Sequence, residues 1–220
     1  MKDAPRQARA DRLARLGGLY AIVGDVDPVG RAEAAVGGGA RVVQVRVKRA
    51  PARDVLEVSR RIVALARGRA LVLVNDRPDI ALLSGADGVH LGADDLPVSD
   101  ARALLGEFLL VGRTVRDADA ARAALAAGAD HLGYGPVFAS ATKPLDVPLR
   151  GLEGLASICA EVPAPVVAIS GITLENIALV ARAGAAAAAV IGDLFEHGSP
   201  RERAVALAAE FDRGRRGPRA

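Results

Sequence analysis

Tryptophan is absent from the 220 residues, and aromatic side chains make up only 3% of them. A core cannot then rest on large rings, and the base-stacking platforms that single-stranded nucleic acids use are missing. Cysteine occurs once, at Cys159, which excludes an intramolecular disulfide and an all-cysteine metal cluster. Set between Ile158 and Ala160, it reads as a buried helix position filled by a small hydrophobe. No apolar run approaches the ~20 residues that cross a bilayer. Met1-Lys2-Asp3-Ala4-Pro5 leads into an arginine-rich stretch without the apolar core of a secretion signal. The expectation is a cytoplasmic protein with neither membrane nor nucleic acid as partner. Net charge is small as well, +3. Its basic excess gathers near the ends, in Arg6 to Arg15 and Arg213 to Arg219, and reads as solvated helix faces and a frayed tail.

What is present is a 51% hydrophobic, 25% charged chain whose core must be alanine, valine, leucine and isoleucine. Short runs of these residues alternate with longer helical patterns from end to end. Strands are expected at Leu19–Val23, Val42–Val47, Ala70–Asn75, Gly88–Leu91, Leu109–Thr114, His131–Tyr134, Val166–Ile169 and Ala187–Ile191. Near-continuous apolar runs mark parallel strands covered on both faces, and strand–helix alternation marks βαβ units. Eight units close into a (β/α)8 TIM barrel, whereas an open doubly wound sheet typically has fewer strands. A leading helix at Ala4–Leu16 precedes the first strand, the barrel spans about 17–211, and a basic tail fills 212–220. No linker interrupts the chain, so 1–220 reads as a single domain.

The helix ends carry signals. Ser99 is expected to cap 100–105, Asp117 to cap 118–127 before Gly128, and Thr173 to cap 174–183 before Gly184. In the sixth helix, Ala120, Ala123, Ala124 and Ala127 recur at helical spacing as a packing face. Gly85-Ala86-Asp87-Gly88 returns as Gly128-Ala129-Asp130-His131, each a helix stop running into a strand.

In such a barrel the chemistry lies just past the strand C-termini. The second strand ends Gln44-Val45-Arg46-Val47-Lys48, and alternation would turn Gln44, Arg46 and Lys48 to one face at the mouth. Cations there need an anion, either a ligand or neighbouring carboxylates. The third strand ends Asn75-Asp76-Arg77, and the fourth leads through His90 to Asp95. Asp76 and Asp95 end adjacent strands, and two carboxylates without cysteine or histidine partners suit Mg²⁺ shared with phosphates. Asp94 reads as a turn or helix cap. His90 reads as a core or pocket-edge histidine, since no other histidine lies at metal spacing. After the sixth strand, Ser140, Thr142 and Lys143 offer donors for a phosphate. Gly171 and Gly192, past the seventh and eighth strands, let backbone N–H groups approach one. Asp193 is out of place there, because a carboxylate repels a phosphate; turned aside as a helix cap, it would leave the pocket usable.

These residues form five ordered motifs: Gln44-x-Arg46-x-Lys48, Asn75-Asp76-Arg77, His90-Leu91-Gly92-x-x-Asp95, Gly135-Pro136-x-x-x-Ser140-x-Thr142-Lys143 and Gly171-Ile172-Thr173. Together they resemble the thiamine phosphate synthase family, within a superfamily that includes thiazole tautomerase-like proteins, from about Leu19 to Phe195. The resemblance implies a transferase that joins hydroxymethylpyrimidine pyrophosphate to a thiazole phosphate, carboxylated or not, releasing pyrophosphate in thiamine biosynthesis. It implies that Gln44, Arg46, Lys48, Asn75 and Lys143 hold the pyrimidine pyrophosphate, with Arg46, Lys48 and Lys143 neutralising the leaving group. By the same resemblance Asp76 and Asp95 bind Mg²⁺, and Thr114, where serine is usual, lies near the pyrimidine. Ser140, Thr142 and the backbone at Gly171, Ile191 and Gly192 would receive the thiazole phosphate.

Five places depart from the pattern: Val47 for glutamate, Ala93 for glutamine, Arg116 for histidine, Ser170 for the first of two glycines, and Gly192-Asp193 for Ser-Ala. They leave room for a tautomerase-like paralogue, a silent ligand-binding or regulatory barrel, or another phosphate-binding barrel enzyme. Retention of both Asp76 and Asp95 favours the synthase. A homo-oligomer is compatible with the sequence.

Overall fold

The computed structural model describes residues 4–139 and 147–217. Ser140, Thr142 and Lys143 lie outside the described residues. The strands are β1 (Gly18–Val23), β2 (Val42–Val45), β3 (Leu71–Asn75), β4 (Gly88–Leu91), β5 (Leu110–Val115), β6 (His131–Tyr134), β7 (Val166–Ala168) and β8 (Ala187–Val190). They pair in sequence order, all parallel, and β8 closes on β1. The fold is the (β/α)8 barrel, reached because the strands are largely buried on both faces and can be covered on both.

The helices are α1 (Ala4–Arg15), α2 (Pro28–Gly37), α3 (Ala52–Ala66), α4 (Pro78–Ser84), α5 (Val98–Leu105), α6 (Ala118–Ala126), α7 (Gly151–Glu161), α8 (Ile177–Arg182), α9 (Gly192–Phe195) and α10 (Pro200–Arg216). Tyr20, Val42, Leu71, Leu73, Leu110, Val167, Ala187 and Ala189 pack together in the barrel interior. Leu16 joins them, with Leu13 of α1 packed alongside, so the leading helix plugs the N-terminal end. The repeated Gly-Ala-Asp element explains how. Asp87 accepts from Val72 N at 2.9 Å and Asp130 from Val111 N at 2.8 Å, each tying down a neighbouring strand. Their remaining charge meets α1 through Arg12–Asp87 (3.0 Å) and Arg9–Asp130 (3.5 Å).

Several local expectations are corrected. β2 stops at Val45; Arg46 N still donates to Val23 O at 2.8 Å, and beyond it Lys48 N and Arg49 N donate to the Asp25 carboxylate. α5 starts at Val98 after Pro97, so Ser99 lies inside its first turn and is not the cap. α8 starts only at Ile177: Asn176 accepts from Thr173 N and donates to Gly171 O, holding 173–176 as a turn that Thr173 does not cap. Asp117 does cap α6, accepting from Ala120 N at 2.8 Å. That helix buries Ala121 and Ala124, while Ala120, Ala123 and Ala127 face outward. Residues 212–216 are not a frayed tail but the last turn of α10, where Gly214 packs against Ala178. Cys159 is half-buried on α7.

Candidate active site at the barrel mouth

Strand alternation, running inward from the packed interior, places the next layer of side chains at the C-terminal mouth. Above Tyr20 on β1 sit Gln44 on β2 and Asn75 at the end of β3. Tyr20 Oη donates to Gln44 Oε1 at 2.8 Å, and Gln44 Nε2 donates to Asn75 Oδ1 at 2.5 Å. The chain has one direction, so Asn75 keeps its Nδ2 hydrogens for a ligand. Burial drives the Tyr20 hydroxyl far above its ordinary range, which keeps it a donor. Tyr20 was not among the sequence candidates; its inward position on a strand otherwise filled by apolar residues was the available signal.

Asp76 follows β3 with φ at +63°, a left-handed conformation that turns its carboxylate toward the next loop. Lys48 Nζ lies 2.9 Å from Asp76 Oδ2. Asp95 lies within hydrogen-bonding reach of Asp76 and also accepts from Gly92 N at 2.6 Å. Burial, and then the neighbouring Asp76, push the Asp95 carboxyl above the usual carboxylate range. Two converging carboxylates that resist sharing negative charge form a place for a cation. No group of three or more His, Cys, Asp or Glu suited to a metal occurs among the described residues. A hard ion here would draw its remaining ligands from water or a substrate's oxygens, which fits Mg²⁺.

Two residues missed from the sequence hold these loops. Asp25, just past β1, accepts from Lys48 N (2.8 Å) and Arg49 N (3.0 Å), so it shapes the segment carrying Arg46 and Lys48. Those N–H groups, that of Arg49 foremost, hold its carboxyl below the ordinary range. Arg113, on the outer face of β5, donates to Leu96 O (3.3 Å) and Ala93 O (3.1 Å), anchoring the loop that carries Asp95. Lys48 is paired to Asp76, while Arg46 makes no ion pair among the described residues and is half-buried at the rim.

Thr114 faces inward on β5 and its Oγ1 lies 2.9 Å from His90 Nε2. His90 is a core histidine, as expected, yet it has a histidine neighbour after all: His131 Nε2 is 3.4 Å from His90 Nδ1. On the opposite rim Ser170 and Gly171 both take positive φ, +77° and +66°. A Cβ on Gly171 would lie 2.7 Å from Phe138 Cβ, so only glycine fits. Ile191 and Gly192 open α9. Asp193 does not compete for a phosphate as a free charge: Arg203 from α10 pairs with it, and Leu174 N donates to it at 3.2 Å.

The fold and this polar rim define a (β/α)8-barrel enzyme site, built from the ends of several strands. A protein-family model described as thiamine monophosphate synthase matches residues 19–194. A thiamine-phosphate synthase of Anaeromyxobacter dehalogenans is 64% identical over 206 residues, covering 94% of this chain and 93% of the relative. One from Myxococcus xanthus is 51% identical over 197 residues, 89% and 90% of the two chains. Among solved structures, a thiamine phosphate pyrophosphorylase from Pyrococcus furiosus superposes with a TM-score of 0.84 at 34% identity, covering 91% of this chain and 98% of that one. The chain belongs to the thiamine monophosphate synthase family. No helix among the described residues is long and apolar enough to cross a membrane.

Proposed function

We propose that the protein is a thiamine phosphate synthase, a transferase that joins hydroxymethylpyrimidine pyrophosphate to thiazole phosphate and releases pyrophosphate. The observation that carries this reading is the 64% identity to a protein of that name over nearly the whole chain. The convergence of Asp76 and Asp95 supports it from the geometry. Asp76 and Asp95 would hold Mg²⁺, which supplies positive charge to a departing pyrophosphate. Asn75, oriented by Gln44 and Tyr20, donates to the pyrimidine substrate. Arg46, Lys48 and Lys143 add charge stabilisation of the leaving group, placed before it arrives and therefore with little reorganisation. Ser140, Thr142 and the backbone of Gly171, Ile191 and Gly192 form the thiazole-phosphate end, with Asp193 neutralised by Arg203. Departure of pyrophosphate leaves a pyrimidine-methyl cation, which the thiazole nitrogen attacks; holding both rings in one mouth supplies much of the rate. The cytoplasmic setting and small phosphorylated molecules as partners belong to the same reading.

The paired carboxylates also weigh against the tautomerase-like alternative, which needs a protein acid–base group rather than a metal. The test is synthesis of thiamine phosphate by purified protein with both substrates and Mg²⁺, and with EDTA as control. Product requiring all three components sustains the reading. A folded protein that makes none overturns it.

A further inference from the structure

His90 and His131 form a buried pair behind the mouth, and its geometry fixes a direction. The register sets Gly112 of β5 beside His90 of β4 on one side and His131 of β6 on the other. Both imidazoles close over that glycine: a Cβ there would overlap His131 Nε2 and lie 2.6 Å from His90 Nδ1. Gly133 opens the next layer, since its Cβ would lie 2.9 Å from His90 Cε1. The glycines thus make room for a line of contacts from His131 through His90 to Thr114, 3.4 Å and then 2.9 Å. His90 is 8% exposed and His131 fully buried. The side-chain partners of the two rings are each other and Thr114, with no carboxylate among them, and burial disfavours an unpaired charge, so both are neutral imidazoles near neutral pH.

A neutral imidazole has one N–H, so the contact between the rings allows only two arrangements. In the first, His90 Nδ1–H donates to His131, which must then carry its own hydrogen on Nδ1. In the second, His131 Nε2–H donates to His90 Nδ1, and His131 Nδ1 is a bare lone pair. His131 Nδ1 is buried and has no hydrogen-bond partner among the described residues. A buried N–H without an acceptor is rarer than an under-used acceptor, because the donor loses its only hydrogen bond. The second arrangement is therefore selected at the far end of the line. It places the hydrogen of His90 on Nε2, which donates to Thr114 Oγ1. The Thr114 hydroxyl, accepting from behind, has its own hydrogen to give toward the mouth.

We propose that His131 and His90 are positioning residues that hold Thr114 as a hydrogen-bond donor to an electron-rich atom of the pyrimidine substrate, a ring nitrogen or a phosphate oxygen. The ligand's identity rests on the synthase reading; the direction of the relay rests on the contacts and burial of the two rings and on the unpartnered His131 Nδ1.

The test combines two readouts on the full chain. The sequence holds three histidines, so ¹⁵N NMR of the imidazoles can be assigned with single variants. Near neutral pH, His90 and His131 should both carry hydrogen on Nε2 and none on Nδ1. A hydrogen on Nδ1 of either ring, or a charged ring, overturns the proposal. In the synthesis assay Thr114→Val should lose about tenfold or more in kcat/KM, as expected for a hydrogen bond to a charged or strongly polar group, and Thr114→Ser should retain most of it. His131→Phe should lose several-fold alone but nothing further in the Thr114→Val background. His131→Gln, whose amide can still donate to His90, should recover the loss. Equal activity of His131→Phe and His131→Gln overturns the proposal. If the native protein makes no thiamine phosphate, the synthase reading fails separately, and the NMR result alone sustains or overturns the relay.

Discussion

Arg203 grips Asp193 at both carboxylate oxygens, Nη2 to Oδ1 at 2.6 Å and Nε to Oδ2 at 2.9 Å. The Asp193 side chain is only 6% exposed, so this guanidinium is its main source of compensation. Arg203→Leu leaves a buried carboxylate beside Gly192 with only Leu174 N at 3.2 Å and His197 at 4.0 Å. We expect a loss of about 3 kcal/mol in urea unfolding, the usual cost of breaking a buried pair. The same variant should raise KM for the thiazole phosphate by repulsion. Adding Asp193→Leu should restore most of both losses; a double variant no better than Arg203→Leu would show that the pair matters only through packing.

Asp76 can be tested without disturbing its backbone. Its φ of +63° suits asparagine, whereas alanine there would add conformational strain to the loss of charge. Asp76→Asn should fold normally by circular dichroism and lose about a hundredfold or more in Mg²⁺-dependent turnover, on the scale of removing a charge-stabilising group. Turnover close to native across a Mg²⁺ titration would remove Asp76 from the metal site.

Ser170 stands where a glycine would relieve strain. At φ +77° a Cβ costs about 1–2 kcal/mol, and the hydroxyl's compensating bond to Phe138 O is long, 3.3 Å. Ser170→Gly should therefore stabilise the protein by about 1 kcal/mol, read as a higher melting temperature. An unchanged or lower value would mean that the serine bond outweighs the strain.

The strands were legible because an apolar run covered on both faces leaves a strong, local signature. The carboxylates, Gln44 and Asn75 were legible for the converse reason: polar residues where packing demands apolar ones. Helix ends failed where turns are held by partners distant from the pattern. Pro97 starts α5 through its preset φ, ahead of Ser99, and Asn176 occupies the groups that Thr173 would otherwise have organised. The packing face of α6 was misread because alanine occupies both its faces, so periodicity marks neither. Asp25, Arg113 and His131 act through neighbours brought by the barrel's register, information that no single segment contains.

Tyr20→Phe removes one oxygen from the start of the Tyr20–Gln44–Asn75 chain and leaves the ring packed. Gln44 then has no donor at Oε1 and is free to flip, which would present Asn75 with an oxygen. We expect KM for the pyrimidine pyrophosphate to rise about fivefold to tenfold, the scale of one net hydrogen bond, with stability changed little. An unchanged KM would show that the amides are oriented by packing alone.

The buried histidines also set how the fold responds to acid. An unfolded chain takes up a proton on histidine near pH ~6.5, whereas folded His90 does so only at about 4, and His131 lower still. Between those values the unfolded state binds more protons than the folded one, so stability is complete above about pH 6.5 and falls as pH drops toward 4. His90 alone accounts for about 2 kcal/mol lost between pH 7 and pH 5. His131 acts in the same sense. The raised Asp95 carboxyl opposes them, while the lowered carboxyls of Asp25 and Asp79 lose their contribution at more acid pH. Urea midpoints at the two pH values should thus differ clearly in the native protein and by less in His131→Phe. A difference no larger in the native protein than in His131→Phe would show that the buried pair does not set this response.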